Sequence, residues 1–344
     1  NILKESNDRI LFTTFTRNLA ADINDNLQKI CPKDVMRKIE VVNFDRWVND
    51  FLKRNGYSYD IDYGRKTKAL WDKALSMAPS GLDLDESFYR EEWERIIQPQ
   101  SITSSAEYIK ASRVGRGIKL NRKDRELVWP IFEEYRILLN EANLREADDA
   151  IRDARILLES KQMMLPYKAV IVDESQDMSC QAFSLIRQII PGGDTPNDIF
   201  IVGDAHQRIY RHKIVLSRCG INVRGRSRKL RINYRTTEET RKWALSLLTG
   251  ISIDDLDGEL DNQSDYRSLL HGVFPVIRHF KSFNEEVDYI TQYIGALKDG
   301  GNDIRHICMV ARTNELLKQY EAALATRDVQ TYLVRRSEAE DRSK

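Results

Sequence analysis

The apolar run Ala169-Val170-Ile171-Val172 ends abruptly in Asp173-Glu174-Ser175-Gln176-Asp177. Such a run reads as a strand buried inside a sheet. Two adjacent carboxylates then stand where the strand leaves the sheet, and open α/β sheets bind their ligands at that end. An Asp-Glu pair has a clear use there. One carboxylate holds Mg²⁺, and its neighbour orients or deprotonates an attacking water. The plain alternative is a solvated acidic turn, and the rest of the chain must decide between the two.

Strand and helix signals alternate on both sides of this junction. Ile10, Leu11 and Phe12 form a short apolar run. Thr16, a good N-cap residue, precedes Leu19, Ile23, Leu27 and Ile30 at helical spacing. Residues 39–42 read as a strand. A helix then carries Phe44, Trp47, Val48, Phe51 and Leu52, with Gly56 as its stop. Residues from about 60 to 160 change character and read as consecutive amphipathic helices, among them 70–77, 88–97 and 127–139, the last with Pro130 early in it or kinking it. Alternation then returns. A helix is expected at 180–190, a loop at 191–194, a strand at 199–202 and a strand near Leu230. Helices follow at 237–248, 284–298 and 314–326, with strands at 276–280 and 306–310 and an acidic loop at 254–265. Such alternation implies parallel sheets.

Two further segments carry chemistry. The strand at 199–202 ends in Gly203-Asp204-Ala205-His206-Gln207-Arg208-Ile209-Tyr210. Gly203 allows tight backbone geometry, and the Gln207 amide can bond a phosphate or a water. Leu230-Arg231-Ile232-Asn233-Tyr234-Arg235-Thr236 puts an aromatic face beside a guanidinium suited to a phosphate. The bland readings are an exposed amide at Gln207 and a core aromatic at Tyr210. In order, the three segments match DExQD, GDxxQxIY and LxxNYR, and residues 10–23 look like a strand followed by a TFT motif. The chain thus resembles the UvrD/Rep-like superfamily-one helicases over most of its length.

That resemblance implies a RecA-like P-loop NTPase parallel sheet of α/β class. The first lobe would comprise residues 1–38 and 161–230, a helical insertion residues 39–160, and the start of a second RecA-like lobe residues 231–344. It implies ATP and Mg²⁺ as cofactors. Asp173 would hold the metal and Glu174 would be the catalytic base. Gln207 would couple the γ-phosphate to DNA binding, Arg235 would be an arginine finger, and Tyr234 would stack on adenine. Thr14, Phe15 and Thr16 would touch a DNA strand. Tyr210 would lie at the DNA-facing end of its motif, with Arg211 and Lys213 beside it. Here Arg211-His212-Lys213 stand where the family often has Trp and then Arg-Gly-Ala. The expected function is ATP-driven unwinding or translocation on single-stranded DNA and single/double-strand junctions, in the 3′ to 5′ direction, by a monomer.

The family also needs a GxxxxGK[ST] loop to cradle the β- and γ-phosphates, and the 344 residues contain none. Residues 1–9 read like the end of the helix that follows such a loop. The expectation is an excised part of a larger helicase that hydrolyses ATP poorly by itself. A nucleic-acid-binding scaffold that has lost ATPase activity is the second reading. An NTPase switch without nucleic acid is the third, and the TFT segment argues against it.

Charge bears on this choice. The chain has 54 Lys+Arg against 53 Asp+Glu, which excludes a histone-like or tail-like basic protein. Yet residues 208–235 hold ten Lys/Arg and no acid, and residues 110–125 hold seven against Asp124 alone. Long one-sign runs suit salt-sensitive, sequence-tolerant binding of single strands, and the run at 110–125 is expected to grip duplex ahead of the motor. The four cysteines form no CxxC pair, which disfavours a zinc site or a disulfide framework and suits a reducing cytoplasm. No apolar run approaches the ~18 residues that span a bilayer, and no secretory signal is evident.

Overall fold

The computed structural model describes residues 3–64, 66–78, 82, 84–113, 116–190, 197–207, 215–223, 225–251 and 266–334. They form two compact units, one running to Lys229 and the other starting at Leu230.

The first unit opens with β1 (Arg9–Thr14) and α1 (Arg17–Ile30), where Thr16 Oγ1 accepts from Leu19 N at 3.3 Å and caps the helix. A short α2 (Lys33–Met36) leads to β2 (Ile39–Asn43) and α3 (Phe44–Arg54). A helical block follows. It holds β3 (Asp60–Asp62), α4 (Thr67–Leu75), α5 (Glu86–Glu92) with a π-helical turn over Trp93–Ile97, α6 (Ser105–Lys110), α7 (Arg122–Glu141) and β4 (Leu144–Glu146). Pro130 lies inside α7, beyond its first turn. The chain returns through α8 (Ala147–Ser160), β5 (Tyr167–Val172), α9 (Cys180–Ile189) and β6 (Ile199–Ile201).

Four of these strands make one parallel sheet in the order β2-β1-β5-β6. Leu11 lies level with Val170, and Val172 with Ile201. The apolar run at 169–172 is therefore central, with Val170 and Val172 fully buried. Trp47 and Phe51 from α3, Ala154 and Leu158 from α8, and Phe183 and Ile186 from α9 pack with it into one core. A second core is largely aromatic. Trp71, Phe88, Trp93, Tyr108, Phe132 and Tyr135 interlock among α4 to α7, and the parallel pair β3–β4 ties the two ends of this block together.

Two expectations shift in this unit. Ile39–Asn43, expected at the start of the helical insertion, pairs with β1 and belongs to the four-stranded sheet. Its alternation of apolar residues is satisfied by a strand neighbour, and α3 joins the sheet's core rather than the aromatic one. Residues 3–8, expected as the end of a helix, form a turn in which Asp8 Oδ2 accepts from Lys4 N and Glu5 N, both at 2.8 Å. The short side chain of Asp8 competes with a helix for these amides.

The second unit contains β7 (Ile232–Thr237), α10 (Glu238–Ser246), β8 (Arg267–Leu270), α11 (Phe283–Asp299) and α12 (Asn314–Ala325). β7 and β8 form a parallel pair, and Val287, Tyr320 and Leu324 centre a small core. The strands expected at 276–280 and 306–310 do not form. Residues 271–280 lack ladder pairing, and Ile304–His306 is a 3₁₀ turn. A strand exists only where a neighbour supplies its hydrogen bonds, and Val276, Ile277 and Val310 stay exposed without one. The loops expected at 191–194 and 254–265 fall outside the described residues. No helix among the described residues is long and apolar enough to cross a membrane.

Candidate nucleotide site at the carboxyl edge of the sheet

The acidic junction sits where β1, β5 and β6 all end. Asp173 N donates to Thr13 O at 2.9 Å, and Ser175 N donates to Val202 O at 3.1 Å. Residues 173–175 are thus pinned to the strand ends on either side. Glu174 adopts φ 53°, ψ 42°, a left-handed conformation that costs a non-glycine residue about 1–3 kcal/mol. Its amide donates to Asp173 Oδ1 at 2.9 Å. The reversal turns the chain sharply enough to set Asp173 and Glu174 side by side, both half-buried, at the rim.

Gln176 holds the pair in place. It is 2% exposed. Its Nε2 donates to Glu174 Oε2 at 2.5 Å, and its Oε1 accepts from Asp204 N at 3.0 Å. Asp204 in turn accepts from Gln207 Nε2 at 2.9 Å and from His206 N at 3.0 Å, with His206 Nδ1 also at 3.0 Å. Gly203 is forced by this packing. A Cβ there would stand 2.1 Å from Ser175 Oγ and 3.0 Å from Gln176 Oε1. The structure therefore brings Asp173, Glu174 and Gln207 into one connected region. Gln176 and Asp204 were missed as functional candidates. Their signal in sequence is that each is a fixed position of its motif, Gln176 two residues after Glu174 and Asp204 directly after Gly203.

Other expected site residues fare differently. Thr14 is fully buried at the end of β1. Thr16 caps α1, and Phe15 O accepts from Asn43 Nδ2 at 3.3 Å. Tyr210, Arg211 and Lys213 lie outside the described residues. Tyr234 and Arg235 belong to the second unit, both exposed. There Asn233 Oδ1 accepts from Arg235 N at 2.8 Å and Thr236 N at 3.2 Å, shaping the irregularity in β7 that presents them.

Of the seven basic residues at 110–125, Arg113, Arg116 and Arg125 turn inward, while Lys110, Lys119, Arg122 and Lys123 are exposed. Glu92, fully buried, takes Arg113 Nε at 2.5 Å, Arg116 Nε at 2.9 Å and the Tyr108 hydroxyl at 2.9 Å. Arg116 also pairs with Glu91, and Arg113 and Arg116 both lie against the Phe88 ring. Arg125 Nη1 donates to three carbonyls, of Tyr108, Ile109 and Ala111. These three arginines hold the loop together and are not offered to a duplex.

The cysteine expectation is also corrected. Cys180 and Cys219 form a disulfide with Cα atoms 5.4 Å apart. Residues 39 apart in sequence meet because the 3₁₀ turn Leu216–Cys219 packs on α9.

Whether the site suits Mg²⁺ and a nucleoside triphosphate can be judged from its atoms. Asp173 offers hard carboxylate oxygens, the donors Mg²⁺ prefers. The hydroxyls of Thr13, Thr14 and Ser175 are buried at the same strand ends without hydrogen-bond partners. Buried hydroxyls normally find partners, so these fit a polar ligand at the rim. The segment Gly220-Ile221-Asn222-Val223-Arg224-Gly225-Arg226-Ser227 comes nearest to a phosphate loop, with Arg226 at the lysine position. Its described residues follow a 3₁₀ turn and open no helix, so they lack the strand-to-helix setting that a phosphate cradle requires.

A parallel sheet with helices on it and adjacent carboxylates at its carboxyl edge defines an α/β domain of the RecA type. The family model of the UvrD/REP helicase N-terminal domain matches residues 2–214, and that of the UvrD-like helicase C-terminal domain matches residues 228–339. The chain belongs to the UvrD-like helicase family. A probable DNA helicase II homolog of Mycoplasma genitalium is 25% identical over 218 residues, covering 59% of this chain. The chain spans 30% of that relative's length.

Proposed function

We propose that this chain carries the hydrolytic edge of an ATP-dependent motor that moves along single-stranded DNA in the 3′ to 5′ direction. Asp173 would hold Mg²⁺, and Glu174 would accept a proton from the attacking water. When bound, MgATP supplies the phosphoryl group and the charge neutralisation for its transfer. Gln207 would report the state of this edge to the DNA, Tyr234 would stack on the base, and Arg235 would meet the charge that develops on transfer. The observation that carries the reading is Glu174. A carboxylate held in a costly left-handed turn, at the ligand-binding end of a parallel sheet, supports a role in chemistry over one in solvation. Exposed Arg226, Arg228, Lys229 and Arg231, with no acid among them, support a DNA partner.

The test is ATPase activity of the full-length protein with saturating single-stranded DNA. Glu174→Gln is expected to lower kcat by about 10²–10⁴ while single-strand affinity stays within about twofold. Wild-type turnover in that variant would remove Glu174 as the base. A full-length wild-type protein with strand affinity but no turnover would leave only a nucleic-acid-binding scaffold. Polarity is read separately, by unwinding of duplexes tailed on one strand or the other.

A further inference from the structure

Every polar atom of the Gln176 side chain is committed, and the chemistry of its partners leaves no choice of orientation. The Glu174 carboxylate only accepts, so it must face the amide nitrogen, as it does at 2.5 Å. The Asp204 backbone N–H only donates, so it must face the amide oxygen, at 3.0 Å. A flipped amide would confront both partners with the wrong atom, and water cannot enter to relieve it, because Gln176 is 2% exposed. Gly203 presses the adjoining turn against the same amide, with its Cβ direction 3.0 Å from Gln176 Oε1 and 2.1 Å from Ser175 Oγ. Gln207 and His206 fasten the far side of that turn to the Asp204 carboxylate.

We propose that Gln176 is a positioning residue that transmits the position of the Gly203–Gln207 turn to the Glu174 carboxylate. The inference rests on the reading of Glu174 as the base and goes beyond it. When the turn shifts, Asp204 N moves. The amide, which cannot flip, must swing with it, and the carboxylate oxygen bonded to its nitrogen follows. The basic run that begins at Arg208 continues directly from this turn in sequence, so strand occupancy along that run has a covalent route to the amide.

The test uses DNA-stimulated ATPase of the full-length protein, with Glu174→Gln measured alongside. Gln176→Leu keeps the volume and removes both hydrogen bonds. It is expected to lower kcat about 10–100-fold with the KM for ATP within about twofold, and to flatten the stimulation by single-stranded DNA toward onefold. Gln176→Glu keeps an acceptor for Asp204 N but sets a carboxylate against Glu174. It is expected to lower kcat and flatten the DNA stimulation in the same way, with the KM for ATP again within about twofold, a split that general loss of folded protein would not produce. If Gln176→Leu fails to fold, the Gln176→Glu kinetics decide. Loss of turnover in Glu174→Gln with unchanged kcat and DNA stimulation in the Gln176 variants would overturn the proposal and leave the base assignment standing. Full turnover in Glu174→Gln would instead overturn the reading beneath it.

Discussion

Ser175 fills the space that a side chain at Gly203 would need, and the consequence has a definite sign. The Ser175 hydroxyl is buried and unpartnered, so removing it forfeits no hydrogen bond. Ser175→Ala is expected to change stability by less than about 0.5 kcal/mol. Gly203→Ala places a methyl 2.1 Å from that hydroxyl, and overpacking of this kind costs about 1–3 kcal/mol. In the double variant the clashing oxygen is gone, so most of the loss should return. Urea melts of the four proteins form a double-mutant cycle whose coupling should be favourable by about 1 kcal/mol or more. Additive losses would mean that the two residues do not press on each other.

Glu146 does for the helical block what Gln176 does for the sheet edge. It sits at the end of β4 and heads α8, whose Ala150, Ile151, Ala154 and Leu158 pack in the sheet's core. Its carboxylate accepts from Trp93 Nε1 at 2.6 Å, the Tyr135 hydroxyl at 2.7 Å and Gln98 Nε2 at 3.1 Å. One side chain thus joins the π-helical turn, α7 and α8. Glu146→Ala strands the Trp93 and Tyr135 donors, while Gln98 Nε2 keeps Asp149 Oδ2 at 3.1 Å, and is expected to cost about 2–4 kcal/mol. Glu146→Gln keeps an acceptor for Trp93 and Gln98, and its new N–H can be met by a rotated Tyr135 hydroxyl, so it should cost less. Burial pushes the Glu146 carboxyl above the usual carboxylate range. A group whose folded pKa is raised loses its stabilising contribution as pH rises through that pKa. Glu146→Gln cannot ionise, so its stability relative to the parent should improve from pH 5 to pH 8 in denaturant melts, and a relative decline would refute the assignment. None of this was legible in sequence. Strands with contiguous apolar runs could be read, because burial on both faces needs no knowledge of the partner. The donors of Glu146 lie 11 to 53 residues away, and only the packed aromatic core brings them to one carboxylate. The absent strands at 276–280 and 306–310 fail for the same reason, since a β pattern names a face but not a neighbour.

Charge at the scale of the chain shows the same division. The totals of 54 and 53 nearly cancel, and sequence alone separates two basic tracts without saying that they differ in kind. In the first, Arg113 and Arg116 are matched by Glu91 and Glu92, more than twenty residues upstream. A buried ion pair broken on one side leaves an uncompensated charge and costs about 3–5 kcal/mol. In the second, Arg226, Arg228, Lys229 and Arg231 all lie exposed along one short stretch with no acid among them. A protein that neutralises phosphates releases their counterions, so log affinity for single strands falls with log salt at a slope of about −0.7 per contact. Replacing those four residues by alanine should therefore make the slope shallower by about 3 on an oligo-dT strand. Arg113→Ala and Arg116→Ala should do the reverse, lowering the melting temperature while leaving the slope of the folded protein unchanged. Fluorescence anisotropy across a salt series, paired with thermal melts, separates the two tracts. A slope that responds to Arg113 and not to the 226–231 stretch would move the strand path from the sheet unit's end to the helical block.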